Sequence, residues 1–390
     1  MPQASARTED LAARQNVDSE NISTEDLKRC LVALAARGGA ELEAKESGSI
    51  GRTGLVEKAF FERGGLERKI PHWGDAILCD GMVYATRALT EDSPAEDAIA
   101  WFAPRLKDGP RLSDWFWFWA AQALPAINIY LLTGESAYLD YARTVVDALE
   151  NRIAHTADGA IMPHPPAVEV WVDVVYFSTP AMARLGRLSG NSAIVERALD
   201  QLLLHARYLR DDATGLFWHA AYVDKRSHSP CLWARGNSWY SVATTEVLGE
   251  VRMAGLDYRL ADKVSHLTNI VTRQLKSVIK LQHRDGLWHT VIARPDSYLE
   301  ASASAGFALA LGRALRMKLS GLDLDAATQA HANALAAICA KITPQGDFTG
   351  VAQQTPPGDF DWYQSIPVST APFGTGICLM ALAEAMANRA

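Results

Sequence analysis

One kind of turn recurs along the chain, and its spacing restricts what the chain can fold into. Each copy places an apolar or aromatic residue shortly after a glycine, and the four copies are DGAIMPH at 158–164, TGLFWH at 214–219, DGLWH at 285–289 and QGDF at 345–348. Their glycines, Gly159, Gly215, Gly286 and Gly346, are 56, 71 and 60 residues apart. Each interval has room for two helices and their loops. The repeat therefore predicts helical hairpins, with the turns at one end of the assembly.

Apolar residues at helical spacing mark about twelve helices. With ends defined to about two to four residues, these are Leu27–Ala36, Ile77–Leu89, Ala95–Ala103, Trp115–Leu132, Tyr138–Ile153, Val172–Leu188, Ala193–Leu209, Asn237–Met253, Leu260–Gln282, Tyr298–Met317, Ala326–Ile342 and Gly374–Ala387. Alternate helices, such as those from Ser302 and Gly374, are apolar or small around most of their circumference. This alternation favours a closed ring of inner and outer helices over an open solenoid. The expected fold class is all-α, with a funnel at one end of the ring.

Composition and charge narrow the classes of function. The chain has 390 residues, of which 48% are hydrophobic and 21% charged, as in a globular protein with a large core. Its net charge of -7 argues against a general nucleic-acid surface, and no apolar run suits a signal sequence or a membrane span. We expect a cytoplasmic monomer or homodimer without nucleic-acid or membrane partners. Residues 1–22 should form a flexible tail and residues 23–390 a single domain.

The cysteines indicate neither a disulfide framework nor a metal site. They are odd in number, far apart and without a CxxC pair, at Cys30, Cys79, Cys231, Cys339 and Cys378. We therefore expect reduced thiols and no zinc. The sequence also has no HExxH, Gly-rich phosphate loop or GxSxG motif, which removes several large enzyme classes.

The first candidate for chemistry is Asp173, in the apolar segment EVWVDVVYFS. An apolar setting raises the pKa of a carboxyl group and keeps it protonated near neutral pH, as a general acid requires. The alternative is an aspartate that caps a helix or interacts with its dipole. Glu169 lies one helical turn earlier and is the competing carboxylate.

A second group of candidates lies in WARGNSW at 233–239. Indole faces stack on sugars and a planar guanidinium matches a carboxylate, so Trp233, Arg235 and Trp239 could bind an acidic sugar. Alternatively, Arg235 is a residue at a helix start that packs against core tryptophans.

Three histidines each follow a repeated turn, namely His164, His219 and His289. Their shared position would place them at the same end of the ring as Asp173. The alternative is that they serve the packing of the turn itself, and the functional interpretation is weakest for His289.

Two further segments carry residue types that bind sugars. An aromatic residue occupies every position from Trp115 to Trp119, which suits a sugar platform but more often fills a core. Glu300 precedes a helix rich in small residues, and we expect it to cap that helix rather than bind a sugar hydroxyl.

Together these motifs resemble the unsaturated glucuronyl and rhamnogalacturonyl hydrolases, glycoside hydrolase family 105 and its relative family 88. The resemblance runs from about Ile77 to the C-terminus and is carried by VWVDVVYFSTPAMARLG, TGLFWH, WARGNSW, SYLEASASAGFALALG and FGTGICLMALAEA, in the family's order. It implies a barrel of six helical hairpins, an (α/α)6 barrel. It also implies release of a terminal unsaturated uronic acid from an oligosaccharide that a polysaccharide lyase has produced.

The family's mechanism assigns roles to the candidate residues. An Asp protonates the double bond between ring carbons four and five, water adds at carbon five, and the resulting hemiketal opens and releases the sugar. By resemblance Asp173 is that Asp, and no metal or other cofactor is needed. The expected substrate-binding residues are His164, His219, Trp233 and Arg235, with Trp239 added as a stacking surface.

The chain departs from the family's pattern at two places. Many members carry a second Asp on the preceding inner helix, where this chain reads WFWFWAAQALPAINIY, and the family's Asp close to the last helix is absent from VSTAPFGTG. Two alternatives follow. A hydrolase of saturated glycosides would need a second carboxylate from Glu169, Glu300 or Asp114. A sugar-binding barrel without catalysis would need none.

Overall fold

The computed structural model describes residues 22–46, 73–90, 93–112 and 116–389 of the 390-residue chain. The tail expected at 1–22 lies outside these ranges except for Ile22, and Asp114 and Trp115 lie outside them too. Within the described ranges, no helix is long and apolar enough to cross a lipid bilayer.

Twelve long helices of these ranges alternate between an outer and an inner layer. The outer helices are α1 (Thr24–Glu46), α3 (Ser93–Asp108), α6 (Ser136–Asn151), α8 (Ser192–Leu209), α10 (Ala261–Lys280) and α12 (Leu324–Cys339). The inner helices are α2 (Trp73–Leu89), α5 (Ala123–Thr133), α7 (Val174–Leu188), α9 (Ala234–Met253), α11 (Ala301–Arg316) and α14 (Pro372–Ala387). Two short helices accompany them, α4 (Phe116–Ala120) and α13 (Phe360–Ser365).

The inner helices form a closed ring. Each contacts the next in chain order, and α14 returns to contact α2. Glycine allows the close approach at this last junction, because a Cβ on Gly376 would lie 2.3 Å from the backbone oxygen of Ile77 and one on Gly81 would lie 2.5 Å from that of Gly376. The predicted (α/α)6 barrel is therefore confirmed, and the open solenoid is excluded.

Burial explains the composition of the two layers. Every residue from Ala301 to Ala314 in α11 and from Phe373 to Ala385 in α14 is buried. An outer helix such as α10 buries one face, which includes Leu267, Val271 and Leu275. An inner helix has protein on all sides, so it can be apolar around its circumference, whereas an outer helix needs a polar face towards water.

The four repeated turns each connect an outer helix to the inner helix that follows it. Their glycines have φ angles of 98°, 76°, 82° and 85°, in the left-handed region that residues with a Cβ rarely adopt. One or two short strands follow each turn before the inner helix begins. The N-termini of α7, α9, α11 and α14 therefore share one end of the barrel, which we call the rim.

Short antiparallel strands hold neighbouring loops of the rim together. β1 (Glu169–Trp171) pairs with β2 (Ala220–Tyr222), and β2 also pairs with β3 (Ser227–His228). The other pairs are β4 (Trp288–His289) with β5 (Leu299–Glu300) and β6 (Val351–Ala352) with β7 (Val368–Ser369). Because β1 precedes α7 and β2 precedes α9, the first sheet fixes the entry loops of two successive inner helices side by side.

The helix prediction is wrong at several points. Helix α1 continues to Glu46, ten residues beyond the predicted end at Ala36, and α3 continues to Asp108, five residues beyond Ala103. The segment predicted as one helix, Trp115–Leu132, forms α4 and α5 with a turn at Ala121 and Gln122. Pro125 explains the break, because it has no N–H for the carbonyl of Ala121 and fits best in the first turn of a new helix. Helix α13 was not predicted, because its six residues are too few to show a helical period.

A network of charged and polar side chains joins the inner helices below the rim. All six inner helices contribute, from the middle or the C-terminal half of each. The members are Asp80 and Tyr84 of α2, Asn128 of α5, Arg184 and Arg187 of α7, Glu246 and Glu250 of α9, Arg313 and Arg316 of α11, and Glu384 of α14. At about 1.5 Å of rise per residue, the network lies roughly 8 to 24 Å below the helix N-termini.

Arg184 is the centre of this network. Its Nε donates to Oε1 of Glu250 at 2.6 Å, and its two terminal nitrogens donate to Glu246 and Asn128. Glu250 also accepts a hydrogen bond of 2.5 Å from Arg187. The side chains of Arg184 and Glu250 are 9% and 2% exposed. Charges this far from water require such pairing, since an unpaired buried charge is strongly unfavourable.

Arg313 extends the network to the last inner helix. Its Nη1 lies 2.8 Å from Oε2 of Glu246, and its Nη2 donates to the Tyr84 hydroxyl at 3.1 Å. Glu384 lies 4.0 Å from Nε of Arg313 and accepts a hydrogen bond of 2.7 Å from Arg316. Burial opposes ionisation of Glu246, but the adjacent arginines outweigh it and hold the pKa of this carboxyl below its usual value.

Asp80 ends the network on the side of α2. Its Oδ1 accepts a hydrogen bond of 2.5 Å from Asn128, whereas Oδ2 is buried without a hydrogen-bond partner among the described residues. Burial raises the pKa of Asp80 to about 6. The residue borders a small cavity whose other walls include Ala120, Ala121 and Phe177.

Loss of the central arginine should destabilise the barrel. Arg184→Met leaves Glu246 and Glu250 buried with fewer partners, so we expect the free energy of unfolding to fall by about 3 to 5 kcal/mol. Urea denaturation followed by tryptophan fluorescence measures it. Arg143→Met is the control, because the ion pair of Arg143 with Asp140 is exposed and should contribute about 0 to 1 kcal/mol. Equal losses in the two variants would contradict a central role for Arg184.

Replacement of Asp80 should change the pH dependence of stability. The folded-state pKa of about 6 exceeds the unfolded value. The contribution of Asp80 to the free energy of unfolding is therefore fully present below about pH 4, and it is lost as pH rises through about 6. Asparagine at this position cannot ionise. The free energy of unfolding of Asp80→Asn should therefore rise relative to that of wild type by about 1 to 3 kcal/mol as pH increases from 4 to 7. Urea denaturation at several pH values tests this. A constant difference between the two proteins would show that Asp80 ionises normally.

Candidate active site at the rim

Asp173 lies at the rim, directly before the first residue of α7. Its backbone is helical, with φ -66° and ψ -31°, and its side chain makes no capping hydrogen bond. The structure therefore contradicts a capping hydrogen bond, whereas the alternative that Asp173 interacts with the dipole of α7 stays a prediction. The side chain retains 13% exposure although its Oδ2 is buried, so a small ligand at the rim can reach the carboxyl group.

The pairing of β1 with β2 brings His219 to Asp173. The carbonyl of His219 accepts the backbone N–H of Val172 at 3.0 Å. The Nε2 atom of His219 lies 3.3 Å from Oδ2 of Asp173. This distance exceeds that of a strong hydrogen bond, as is common at sites that tighten only around a ligand.

His219 is buried between aromatic rings. Its ring stacks on Trp233 with centroids 4.1 Å apart, and its Nδ1 lies 2.6 Å from the hydroxyl of Tyr363. The side chain is 1% exposed. Burial lowers the pKa of His219 although Asp173 acts in the opposite direction, so the imidazole is neutral at neutral pH.

His164 lies on the other side of the candidate site. Its Nε2 accepts a hydrogen bond of 3.1 Å from the indole of Trp117, and its ring meets that of Trp171 edge to face at 4.6 Å. Burial lowers the pKa of His164 to about 4, with Asp173 near enough to oppose the shift. His164 is therefore neutral above about pH 5.

Half-buried indoles form a wall beside these histidines. Trp117 lies 5.7 Å from Trp171 and 5.4 Å from Phe177, between ring centroids. The indole of Trp171 donates to Oε2 of Glu169 at 2.8 Å, so this competing carboxylate is engaged in holding the wall. The aromatic run therefore serves two purposes: Trp117 lines the site, whereas Phe116 and Trp119 are buried in the core.

Arg235 lies behind Trp233. Its guanidinium is 4.6 Å from the Trp233 ring, and its terminal nitrogens donate to the carbonyls of Ala352 and Gln353 at 2.8 Å and to the Thr355 hydroxyl at 2.9 Å. The side chain is 1% exposed. The arginine is therefore packed against a tryptophan as in the alternative interpretation. A direct bond to a ligand carboxylate stays a prediction, and Nε is the donor that has no partner among the described residues.

Glu300 is engaged by the start of α11. Its side chain accepts hydrogen bonds from the backbone N–H of Ala303 at 2.5 Å and that of Ala352 at 2.9 Å, and from the Ser302 hydroxyl. Its Oε1 also lies 3.5 Å from Nη1 of Arg235. The expectation that Glu300 caps a helix is confirmed.

Trp239 lies beneath the site. Its side chain is 1% exposed, and its ring packs on Tyr176 at 4.5 Å and near Phe177 at 6.3 Å. Because these rings pack on it, the structure places Trp239 in the floor of the site, and its contact with substrate stays a prediction. The small cavity beyond this floor is lined by Ala120 and Ala121, from the segment in which the family's second Asp is missing.

The remaining candidates do not join this group. His289 bonds through Nδ1 to the backbone carbonyl of Ser297, within its own loop. Asp114 lies outside the described residues. Among those residues, no group of three or more His, Cys, Asp or Glu side chains could hold a metal ion.

Sequence reasoning missed Tyr363, and it did not single out Trp117 or Trp171. The aromatic run around Trp117 was a signal, but five consecutive aromatic residues do not show which of them line the site and which fill the core. Tyr363 gave no signal, because it lies 144 residues beyond His219 in a loop with no repeated pattern.

The comparisons with known proteins agree with this architecture. The sequence model described as Glycosyl Hydrolase Family 88 matches residues 61–388. The unsaturated rhamnogalacturonyl hydrolase YesR of Bacillus subtilis is 26% identical over 329 residues, which cover 81% of this chain and 90% of that protein.

Two solved structures share the fold. A possible member of family GH105 from Klebsiella pneumoniae has a TM-score of 0.79 and 25% identity, and the match covers 92% of this chain and 93% of that one. The unsaturated glucuronyl hydrolase of Bacillus sp. GL1 has a TM-score of 0.67 and 17% identity, with 91% and 96% covered. Since the family model spans most of the chain, the protein belongs to glycoside hydrolase family 88.

Proposed function

We propose that this glycoside hydrolase releases a terminal unsaturated uronic acid from lyase-generated oligosaccharides by hydration of the vinyl ether, with Asp173 as the proton donor. One observation carries the proposal. Among the candidate carboxyl groups Asp173, Glu169 and Glu300, Asp173 retains 13% exposure and its Oδ2 accepts no hydrogen bond, whereas Trp171 engages Glu169 and a helix start engages Glu300.

Vinyl-ether hydration needs one carboxyl group that gives and then takes a proton. Asp173 would give its proton to carbon four while water adds at carbon five, and the water would return a proton to the carboxylate. The sum is the addition of one water molecule, after which the hemiketal opens. Hydrolysis of a saturated glycoside requires two carboxyl groups, about 5 to 10 Å apart on either side of the bond. The engagement of Glu169 and Glu300 makes that alternative less suitable.

The names of relatives support the same substrate class. YesR is named an unsaturated rhamnogalacturonyl hydrolase, and the Bacillus sp. GL1 protein is named an unsaturated glucuronyl hydrolase responsible for degradation of glycosaminoglycan. Both names specify an unsaturated uronyl group, which is the feature that a single proton donor can act on.

The neutral histidines suit this chemistry. His164 and His219 both have lowered pKa values because they are buried, so neither places a cation beside Asp173 at neutral pH. A cation there would stabilise the carboxylate and weaken the acid. We assign His219 to support of Asp173, and His164, with the wall of Trp117 and Trp171, to contact with the sugar.

Arg235 would act on the substrate mainly through the residues it orients. It bonds to the backbone at 352 and 353 and lies over the ring of Trp233, which also stacks on the imidazole of His219. This stack of arginine, indole and imidazole keeps His219 aligned with Asp173.

Removal of the acid should abolish turnover. In Asp173→Asn the amide cannot donate a proton to carbon four, so kcat should fall by about 10² to 10⁴-fold while the fold is retained. The measurement is loss of the ultraviolet absorbance of the conjugated double bond, with a panel of lyase-generated oligosaccharides.

The control for that experiment is Asp224→Asn, an exposed carboxylate of the hairpin after β2. It should retain wild-type turnover. Undiminished activity in Asp173→Asn would rule out its role as acid. No absorbance loss with wild type on any substrate would favour a saturated-glycoside hydrolase or a binding protein.

Replacement of Arg235 should weaken both stability and turnover. Arg235 donates to four acceptors, the carbonyls of Ala352 and Gln353 and the hydroxyls of Thr355 and Ser302. Arg235→Lys keeps the charge but cannot reach all of them, so we expect the free energy of unfolding to fall by about 2 to 4 kcal/mol and kcat/KM to fall with it. Urea denaturation and the absorbance assay measure these. Arg294→Lys, at an exposed ion pair with Asp296, is the matched control and should change stability by less than about 1 kcal/mol. Equal stability of the two variants would argue against an anchoring role.

A further inference from the structure

Tyr363 lies outside every motif, yet it contacts the centre of the candidate site. It belongs to α13 in the last loop of the rim, its side chain is 0% exposed, and its hydroxyl lies 2.6 Å from Nδ1 of His219. His219 in turn faces Asp173 through Nε2. The three side chains therefore form a line from the last hairpin to the carboxyl group.

We propose that Tyr363 is a positioning residue, which fixes the tautomer of His219 so that Nε2 carries the proton and Nδ1 accepts from the tyrosine hydroxyl. The catalytic consequence of this inference rests on the proposed function, whereas the tautomer itself does not.

A neutral imidazole has one proton for two ring nitrogens, and its partners decide which nitrogen carries it. At His219 both nitrogens face a group that can donate or accept, namely a phenol on one side and a carboxyl group on the other. If the phenol donates to Nδ1, then Nε2 must carry the proton. If the phenol accepts, then Nε2 is bare and can bond only to a protonated Asp173.

The surroundings of Tyr363 favour donation. Burial raises the pKa of Tyr363, so the phenol keeps its proton. Among the described residues, His219 is the side chain with which this hydroxyl forms a hydrogen bond. A buried hydroxyl proton without an acceptor is unfavourable, so the proton is directed to Nδ1.

Packing holds Tyr363 in this position. Its backbone N–H bonds to the carbonyl of Asp359, whose side chain caps α13 by accepting from Trp362 at 2.9 Å. The Tyr363 ring packs in a small cluster with Cys231, Trp233 and Val291, from two other loops of the rim. The indole of Trp233 contacts both His219 and Tyr363, so the two rings cannot shift independently.

The fixed tautomer keeps the acid's proton available to the substrate. With a proton on Nε2, His219 presents a donor to Oδ2 of Asp173, 3.3 Å away, and cannot accept from it. A protonated Asp173 must then present its proton elsewhere, towards the rim. Without the tyrosine hydroxyl, His219 can shift its proton to Nδ1 and accept the proton of Asp173 itself, which withdraws it from the substrate.

Titratable and charged groups of several elements surround this line. They are His164 beside Asp173, Arg235 behind Trp233, and Tyr222 and Cys231 near Tyr363. Arg235 opposes a second positive charge at His219, in agreement with a neutral ring.

The test is nitrogen NMR of protein labelled with ¹⁵N-histidine, in which the two neutral tautomers give distinct ring-nitrogen shifts. His219→Gln identifies the signal. We expect wild type to keep the proton on Nε2 across the pH range in which the protein is folded. In Tyr363→Phe a population with the proton on Nδ1 should appear, because Nδ1 no longer accepts from a hydroxyl. Tyr298→Phe, which removes another tyrosine hydroxyl of the rim, should match wild type.

A wild-type signal with the proton on Nδ1 would overturn the proposal, and this reading does not require Tyr363→Phe to fold. A Tyr363→Phe signal identical to that of wild type would also overturn it. These readings need no substrate, so they stand whether or not the enzyme acts on unsaturated oligosaccharides.

The effect of Tyr363 on turnover is tested by enzyme kinetics. On an active substrate, Tyr363→Phe should lower kcat by about three- to tenfold with KM within about twofold, as loss of one hydrogen bond implies. The basic limb of its profile of kcat/KM against pH should move to higher pH, because a bare Nε2 favours protonated Asp173. A loss of kcat with an unmoved limb would indicate a merely structural role and overturn the proposed catalytic consequence.

Discussion

The buried ion network around Arg184 is the constraint on which the rest of the structure depends. Every inner helix contributes a side chain to it, so the ring gains its full set of partners only when all six helices are in place. Apolar packing alone is non-directional and would tolerate sliding of one helix against another. Paired charges fix the helices in depth and rotation, and through them the positions of the side chains at the rim.

The fold was largely predictable from sequence because the repeat has a local cause. Each turn glycine adopts a left-handed conformation, so the positions of Gly159, Gly215, Gly286 and Gly346 show where outer helices end. The network was not predictable. Pairs such as Arg184 with Arg187 and Glu246 with Glu250 have the spacing of charges on a solvated helix face. Only closure of the ring reveals that this face points inwards.

The site residues that were predictable from sequence lie in the loops between a repeated turn and the next inner helix. Asp173, His164 and His219 lie in the loops before inner helices, and strand pairing then brings them together. The directions of Arg235 and Trp239 were not predictable, because both lie within or beside a helix buried on all sides and any face could meet the funnel. Tyr363 illustrates the remaining limit, since a contact across 144 residues has no local signature.

The common direction of the inner helices also sets the electric potential at the rim. Each helix N-terminus carries a partial positive charge equivalent to roughly half an elementary charge. Those of α7, α9, α11 and α14 all open towards the site, on a chain whose net charge is -7. An anion that approaches this end therefore meets partial positive charges that the net charge of the chain does not reveal. Because this attraction comes from backbone dipoles, it does not titrate and persists at any pH at which the barrel is folded.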